Sequence, residues 1–210
     1  MANAAARNLR GRPRAFDEDQ ALDAAMTVFS NKGYESASLS DLTAAMGINR
    51  VSMYATFGNK EALFRKAFDR YAKESCEHLN QALNAGTARE GIEKVLRNGV
   101  INCTGAGGHG SCFVTQSPIT DESASDDFRK YVARKRQTPE VLLRQRFELA
   151  VKDGELPSDT DAEDLARFYG VIIQGLALQA QHGGKRPELM RIVDLALERW
   201  PGKPSRRTRS

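Results

Sequence analysis

Arg50, Val51 and Ser52 follow directly on Asn49, a residue type whose side chain caps helices. That order places a guanidinium, an apolar branch and a hydroxyl at the leading end of a helix, the part that can reach base edges in a DNA major groove. Tyr54, Thr56 and Lys60 come next and add two hydroxyls and an ammonium suited to phosphate oxygens. Ser38, at the start of the preceding segment, joins the same candidate set.

Two other groupings could do chemistry. Cys103, His109 and Cys112 could hold a metal, but a structural zinc site needs four ligands at firmer spacing, so no metal is assigned. Gly105-Ala-Gly-Gly-His-Gly110 literally satisfies G-x-G-x-x-G, yet no strand precedes it and no βαβ unit surrounds it. It reads as a connector. The histidines, His78, His109 and His182, have no nucleophile at a recognisable spacing, so neither an enzyme nor a cofactor is expected.

The elements that must position these side chains are all helical. A first helix is predicted from Asp17, with Leu22, Ala25, Met26 and Phe29 on its inner face, stopping at Gly33. Ser38 with Asp41 restarts a short helix to Met46, and Gly47 ends it. A third short helix runs to about Thr56, and a long one from Lys60 to about Asn84. Further helices are predicted over Ala88–Ile101, Ser111–Thr120 and from Ser123 or Ser125 to Asp153, with Pro139 as a kink or restart. The last two are Asp161–His182 and Pro187–Trp200. Two short helices around a glycine turn, followed by a longer one, are what a helix-turn-helix requires. Leu39 and Leu42 face its core, Ala44 and Ala45 allow close approach, and Ile48 plugs the angle between the helices.

The chain has 210 residues, 40% hydrophobic and 28% charged, which fits a globular protein and not a disordered one. The longest apolar stretch, Val171 to Leu178, contains Gln174 and is too short to span a bilayer. No signal peptide is visible, so a cytoplasmic location without membrane contact is expected. Cys76, Cys103 and Cys112 form no disulfide framework. Net charge is +4, and the basic residues concentrate at the ends: Arg7, Arg10, Arg12 and Arg14, then Lys203, Arg206, Arg207 and Arg209. Such ends read either as solubilising tails or as arms that search for phosphate.

The run from Ser38 to Phe64 closely resembles the DNA-binding signature of the tetracycline-repressor (TetR) family, most specifically in Tyr54-x-x-Phe57-x-x-Lys60-Glu-x-Leu63. The resemblance covers about Phe16 to Tyr71. It implies an all-α protein with an N-terminal three-helix helix-turn-helix domain and a helical ligand-binding and dimerisation domain. It also implies that Arg50, Val51 and Ser52 read bases, that Tyr54 and Lys60 contact phosphate, and that Phe57 and Phe64 tie the reading head to the fourth helix. The Gly11-Arg-Pro-Arg14 start resembles family arms that lie along DNA, which adds Arg12 and Arg14 to the candidate contacts.

The expected organisation is a basic arm and helix-turn-helix over residues 1–60, an effector-binding and dimerisation domain over 61–202, and a basic tail over 203–210. The last two helices carry apolar stripes that resemble the family's dimer interface, with Ile172, Leu176, Ile192, Val193 and Leu197 as candidates. The same stripes could instead be buried within one subunit. A homodimer on a pseudo-palindromic operator, released by an unknown small-molecule effector, is the reading this supports. Cys112 follows Gly110-Ser111 at a helix start, where a thiolate is favoured, and resembles a cysteine through which some family members sense electrophiles or oxidants. A buried small hydrophobe is the competing reading of that residue.

Overall fold

In the computed structural model, residues 16–105 and 125–202 are described, and among them every regular element is a helix. Asp17 accepts hydrogen bonds from the amides of Asp19 and Gln20 and starts α1 (Glu18–Ser36). Gly33 interrupts it with φ 77°, and one more helical turn follows. Ser38 and Asp41 close a reciprocal box: Asp41 N–H donates to Ser38 Oγ at 3.0 Å, and Ser38 N–H to Asp41 Oδ2 at 3.1 Å. This box opens α2 (Leu39–Met46). Gly47 ends α2 at φ 65°, a left-handed conformation that an L side chain adopts only with strain. Asn49 Oδ1 then takes the Ser52 amide at 2.8 Å and starts α3 (Arg50–Phe57).

Asn59 caps α4 (Lys60–Leu83), and Thr87 with Glu90 boxes the start of α5 (Ala88–Thr104). Gly91 lets α5 pass close to the end of α4, since a Cβ there would lie 2.5 Å from the Leu83 carbonyl oxygen. Ser125 caps α6 (Asp126–Lys152), Asp161 caps α7 (Ala162–Gln181), and Pro187 sits in the first turn of α8 (Arg186–Glu198). Pro139 does not restart the helix: α6 runs through it as one 27-residue element. A mid-helix proline loses one backbone bond and costs about 3 kcal/mol, and packing along both halves of α6 offsets it.

The chain builds two apolar cores. One gathers α1, α2, α3 and the first turns of α4 around Phe29, Leu42, Met53, Phe57 and Phe64. It also takes in Phe128, Tyr131 and Val132 from the start of α6. The other joins the end of α4 with α5, the second half of α6, α7 and α8. There Tyr169 stacks edge-on against Phe147 at 6.0 Å and donates its hydroxyl to the Ala196 carbonyl at 3.1 Å. Burial pushes that phenol up to about 12.

A buried arginine fixes the junction between α4, α5 and α6. Arg146 Nε donates to the Leu83 carbonyl at 3.2 Å, and Nη2 to the Gly86 carbonyl at 3.1 Å and to Glu155 at 2.9 Å. Glu155 in turn accepts the Ala88 amide at the start of α5. The unpaired carbonyls at the end of one helix and an unpaired amide at the start of the next are satisfied by one ion pair.

Candidate nucleic-acid interface

Met53 and Phe57 point inward from α3, with 0% and 2% of their surface exposed. The opposite face of the same helix carries Arg50, Val51 and Tyr54 into solvent. Val51 is 79% and Tyr54 49% exposed, which for large apolar and aromatic side chains leaves a surface the fold itself does not use. Ser52 and Thr56 are half-buried beside them. Arg50 Nη2 donates to Ser40 Oγ on α2 at 2.9 Å, so the guanidinium is held across the turn between the two short helices.

Two further candidate contacts are also engaged within the head. The Ser38 hydroxyl donates to Asp41 Oδ2 at 2.8 Å and accepts the Asp41 amide, which makes it the cap of α2. Lys60 Nζ donates to the Glu35 carbonyl at 3.1 Å and lies 4.8 Å over the Tyr34 ring. Lys60 therefore braces α4 against the end of α1, and its ammonium is already desolvated on one side. Asp41 also accepts from Lys32 Nζ at 2.7 Å, and that bond, with those from Ser38, holds its carboxyl down to about 2. Arg12 and Arg14 lie outside the described residues.

Beneath the head, side chains of α1, α4, α5, α6, α7 and α8 line a wide, partly open cavity of about 1320 Å³. This exceeds what a drug-sized ligand usually occupies. Its apolar walls include Leu79, Leu96, Leu143 and Ile173, and Arg136, Gln174, Cys76 and Cys103 add polar groups. Burial lowers the Arg136 pKa and raises that of the Cys76 thiol, which Lys135 partly opposes. Sequence reasoning missed this gathering, because its residues are far apart along the chain and share no motif. Cys112 and His109 lie outside the described residues. Among the described residues, no three His, Cys, Asp or Glu side chains come together in a way that could hold a metal ion.

The last two helices present apolar groups on two sides. Leu176, Val193 and Leu197 are buried in the chain's own core at 6%, 0% and 5% exposure. Ile172 is partly buried against that core. Ile192, at 44% exposure, stands on the outer side with Leu195, Phe168, Val171 and Leu178. Phe168, Ile172, Ile192 and Leu195 line a shallow surface depression between α7 and α8.

Comparison with known proteins bears on both halves. Residues 21–67 match the model of bacterial regulatory proteins of the tetR family, and residues 100–194 match a tetracyclin repressor-like C-terminal domain. The chain is 34% identical over 197 residues to the HTH-type transcriptional repressor ComR of Escherichia coli K12, covering 91% of this chain and 92% of that protein. It is 25% identical to the E. coli repressor BdcR over 90% of this chain and 91% of the other. Among solved structures, a cysteine mutant of the TetR family regulator CifR, complexed with 26-bp operator DNA, aligns with a TM-score of 0.86. It shares 40% sequence identity, over 90% of this chain and all of that one.

Proposed function

The chain belongs to the TetR family of DNA-binding transcriptional regulators, and on that premise we propose that it represses genes by occupying a pseudo-palindromic operator as a homodimer. The observation that carries this reading is α3, whose inner face is locked in a core while Arg50, Val51 and Tyr54 are exposed on the other. CifR, a relative at 40% identity, is known in complex with operator DNA, which supports the same use of this face. One reading head covers only half an operator, so two copies are needed, spaced by a helical turn or a multiple of it. The outer apolar face of α7 and α8 joins them in this reading, centred on Ile192 and Leu195 rather than on the inner stripe. Binding to chromosomal DNA places the protein in the cytoplasm.

The division of labour is a reading head over residues 1–60 with its basic arm, a sensing and dimerising body over 61–202, and a basic tail over 203–210. An unidentified small molecule enters the cavity beside α4 and releases the protein from DNA. It does so by favouring one of two arrangements of the heads, a population shift that requires different affinity for the two states. No catalytic step and no cofactor is part of this function.

A second reading, release by oxidation or an electrophile at Cys112, draws on Cys103. That thiol lies in the cavity wall near the end of α5, nine residues before Cys112. Cys112→Ser separates the two readings, since a thiol-triggered regulator would then stay on DNA in the presence of mild peroxide.

The test of the main reading is titration of DNA from the regulator's own promoter region at several salt concentrations. Lys60→Ala weakens binding on all sequences and lowers the salt dependence by about one phosphate contact, whereas Arg50→Ala acts mainly on the operator. Wild-type affinity in both variants would overturn the assignment.

A further inference from the structure

Val51 and Arg50 are neighbours at the start of α3, and each carries an unexplained feature. Among the described residues, Val51 is the most exposed large apolar side chain, at 79%. Among the described residues, nothing covers most of its isopropyl group. The Arg50 guanidinium is steered instead of free, because Ser40 Oγ accepts from its Nη2 at 2.9 Å. Ser40 is itself exposed, on the second residue of α2, and it is not the cap of that helix; Ser38 is.

The two side chains match two different major-groove features. A guanidinium has five N–H donors in a fixed fork, so one bond to Ser40 leaves four, enough for the O6 and N7 acceptors of a guanine. An exposed isopropyl group has one good partner in the same groove, the C5 methyl of thymine. Two side chains at the same helix end, about 1.5 Å apart along its axis, reach base pairs close together in one groove. Holding the arginine in advance also reduces the side-chain entropy lost on binding.

We propose that Arg50, positioned by Ser40, reads a guanine and that Val51 reads the methyl group of a neighbouring thymine, so that each half-site carries a G and a T within a step or two of each other. This rests on the DNA-reading function proposed above. Ser40 is a positioning residue for base recognition, and Arg50 and Val51 are the specificity determinants.

Selection of binding sites from a random duplex pool with the full-length protein tests it. The wild type yields a two-fold symmetric motif with G and T columns in each half. Arg50→Ala loses the G preference and about 5- to 150-fold in affinity for the best site. Ser40→Ala relaxes that same column, and Ser40→Thr, which keeps the hydroxyl, restores it. Replacing the thymine by deoxyuridine removes only the methyl, and weakens wild-type binding about fourfold, the value of one apolar carbon. Val51→Ala does not sense that replacement. Equal loss from Arg50→Ala on every sequence would make Arg50 a phosphate contact and overturn the proposal. So would a deoxyuridine effect that persists in Val51→Ala, or a G column untouched by Ser40→Ala. A wild-type selection with no motif at all would instead reject the DNA-reading function beneath it.

Discussion

The ring of Phe128 meets that of Phe64 edge-on with centroids 5.3 Å apart, although one lies on α6 and the other on α4 under the reading head. Phe128 also packs against Tyr34 at 4.9 Å, and Arg65 lies over both Phe128 and Tyr131. Tyr131 donates to Asp69 at 2.9 Å, and Lys135 pairs with Asp69 at 2.6 Å. The first turns of α6 are therefore part of the head's core.

Phe128→Ala is expected to cost about 3–5 kcal/mol, as for other buried aromatic truncations. Its diagnostic consequence is location. Amide hydrogen exchange should show lost protection in α1 and α3, helices that lie about 70–110 residues earlier in the chain. Loss confined to α6 would mean that the head is stable without it.

The outer face of α7 and α8 yields a prediction about assembly. Leu195→Glu places a charge where 56% of the side chain is exposed in a single subunit. It should leave the helix content of the subunit unchanged, because the side chain is not part of the subunit's own core, and lower the melting temperature only by what dimerisation contributes. Sedimentation should nevertheless show monomers, and operator affinity should fall steeply. Val193→Asp, at 0% exposure, should instead unfold the body. A Leu195→Glu variant that sediments as a dimer would move the interface elsewhere.

Acid stability follows from Asp41. Hydrogen bonds from Lys32, then Ser38, hold its folded carboxyl at about 2, below the usual aspartate value of about 3.9. A depressed folded pKa gives stability that is complete above the unfolded value and is lost as pH falls through the folded one. Melting temperature should therefore drop between about pH 4 and pH 2 more steeply in the wild type than in Asp41→Asn. Parallel acid profiles for the two proteins would contradict this.

Arg146 binds the α4–α5 junction from a position only 8% exposed. Arg146→Met removes the bonds to α4, the turn and Glu155, and should cost about 3 kcal/mol, the lower range for breaking a buried pair. For a chain of this size that is a fall in Tm of about 6–12 °C by calorimetry. Glu155→Gln keeps an acceptor for the arginine and the Ala88 amide and should cost less.

The helices were legible where a local signal marks them. Ser38 with Asp41, Gly47 and Asn49 each act within four residues of their own position, and each does in the structure what its type implies. The inner face of α3 was legible for the same reason, since Phe57 lies on the buried side of a helix whose start is fixed. The faces of α7 and α8 were not. Both sides carry apolar side chains, so periodicity alone could not separate Val193 from Ile192. Lys60 reads as a phosphate ligand from its motif, and the further bond it makes to the carbonyl of Glu35, twenty-five residues away, could be found only in space. The same holds for Phe128, whose partners Tyr34 and Phe64 lie in other helices.

The path of α6 has a consequence for anyone recombining such regulators to build new sensors. A chimera cut after residue 60 would take a foreign head and leave Phe128, Tyr131 and Val132 facing side chains they were never matched to. Such grafts should fold poorly whenever the donor differs at these positions, even if its operator-reading helix is intact. A working exchange has three crossover points, one before α4 ends, one ahead of Ser125 and one around Pro139, so that the first half of α6 travels with the head it helps to fill.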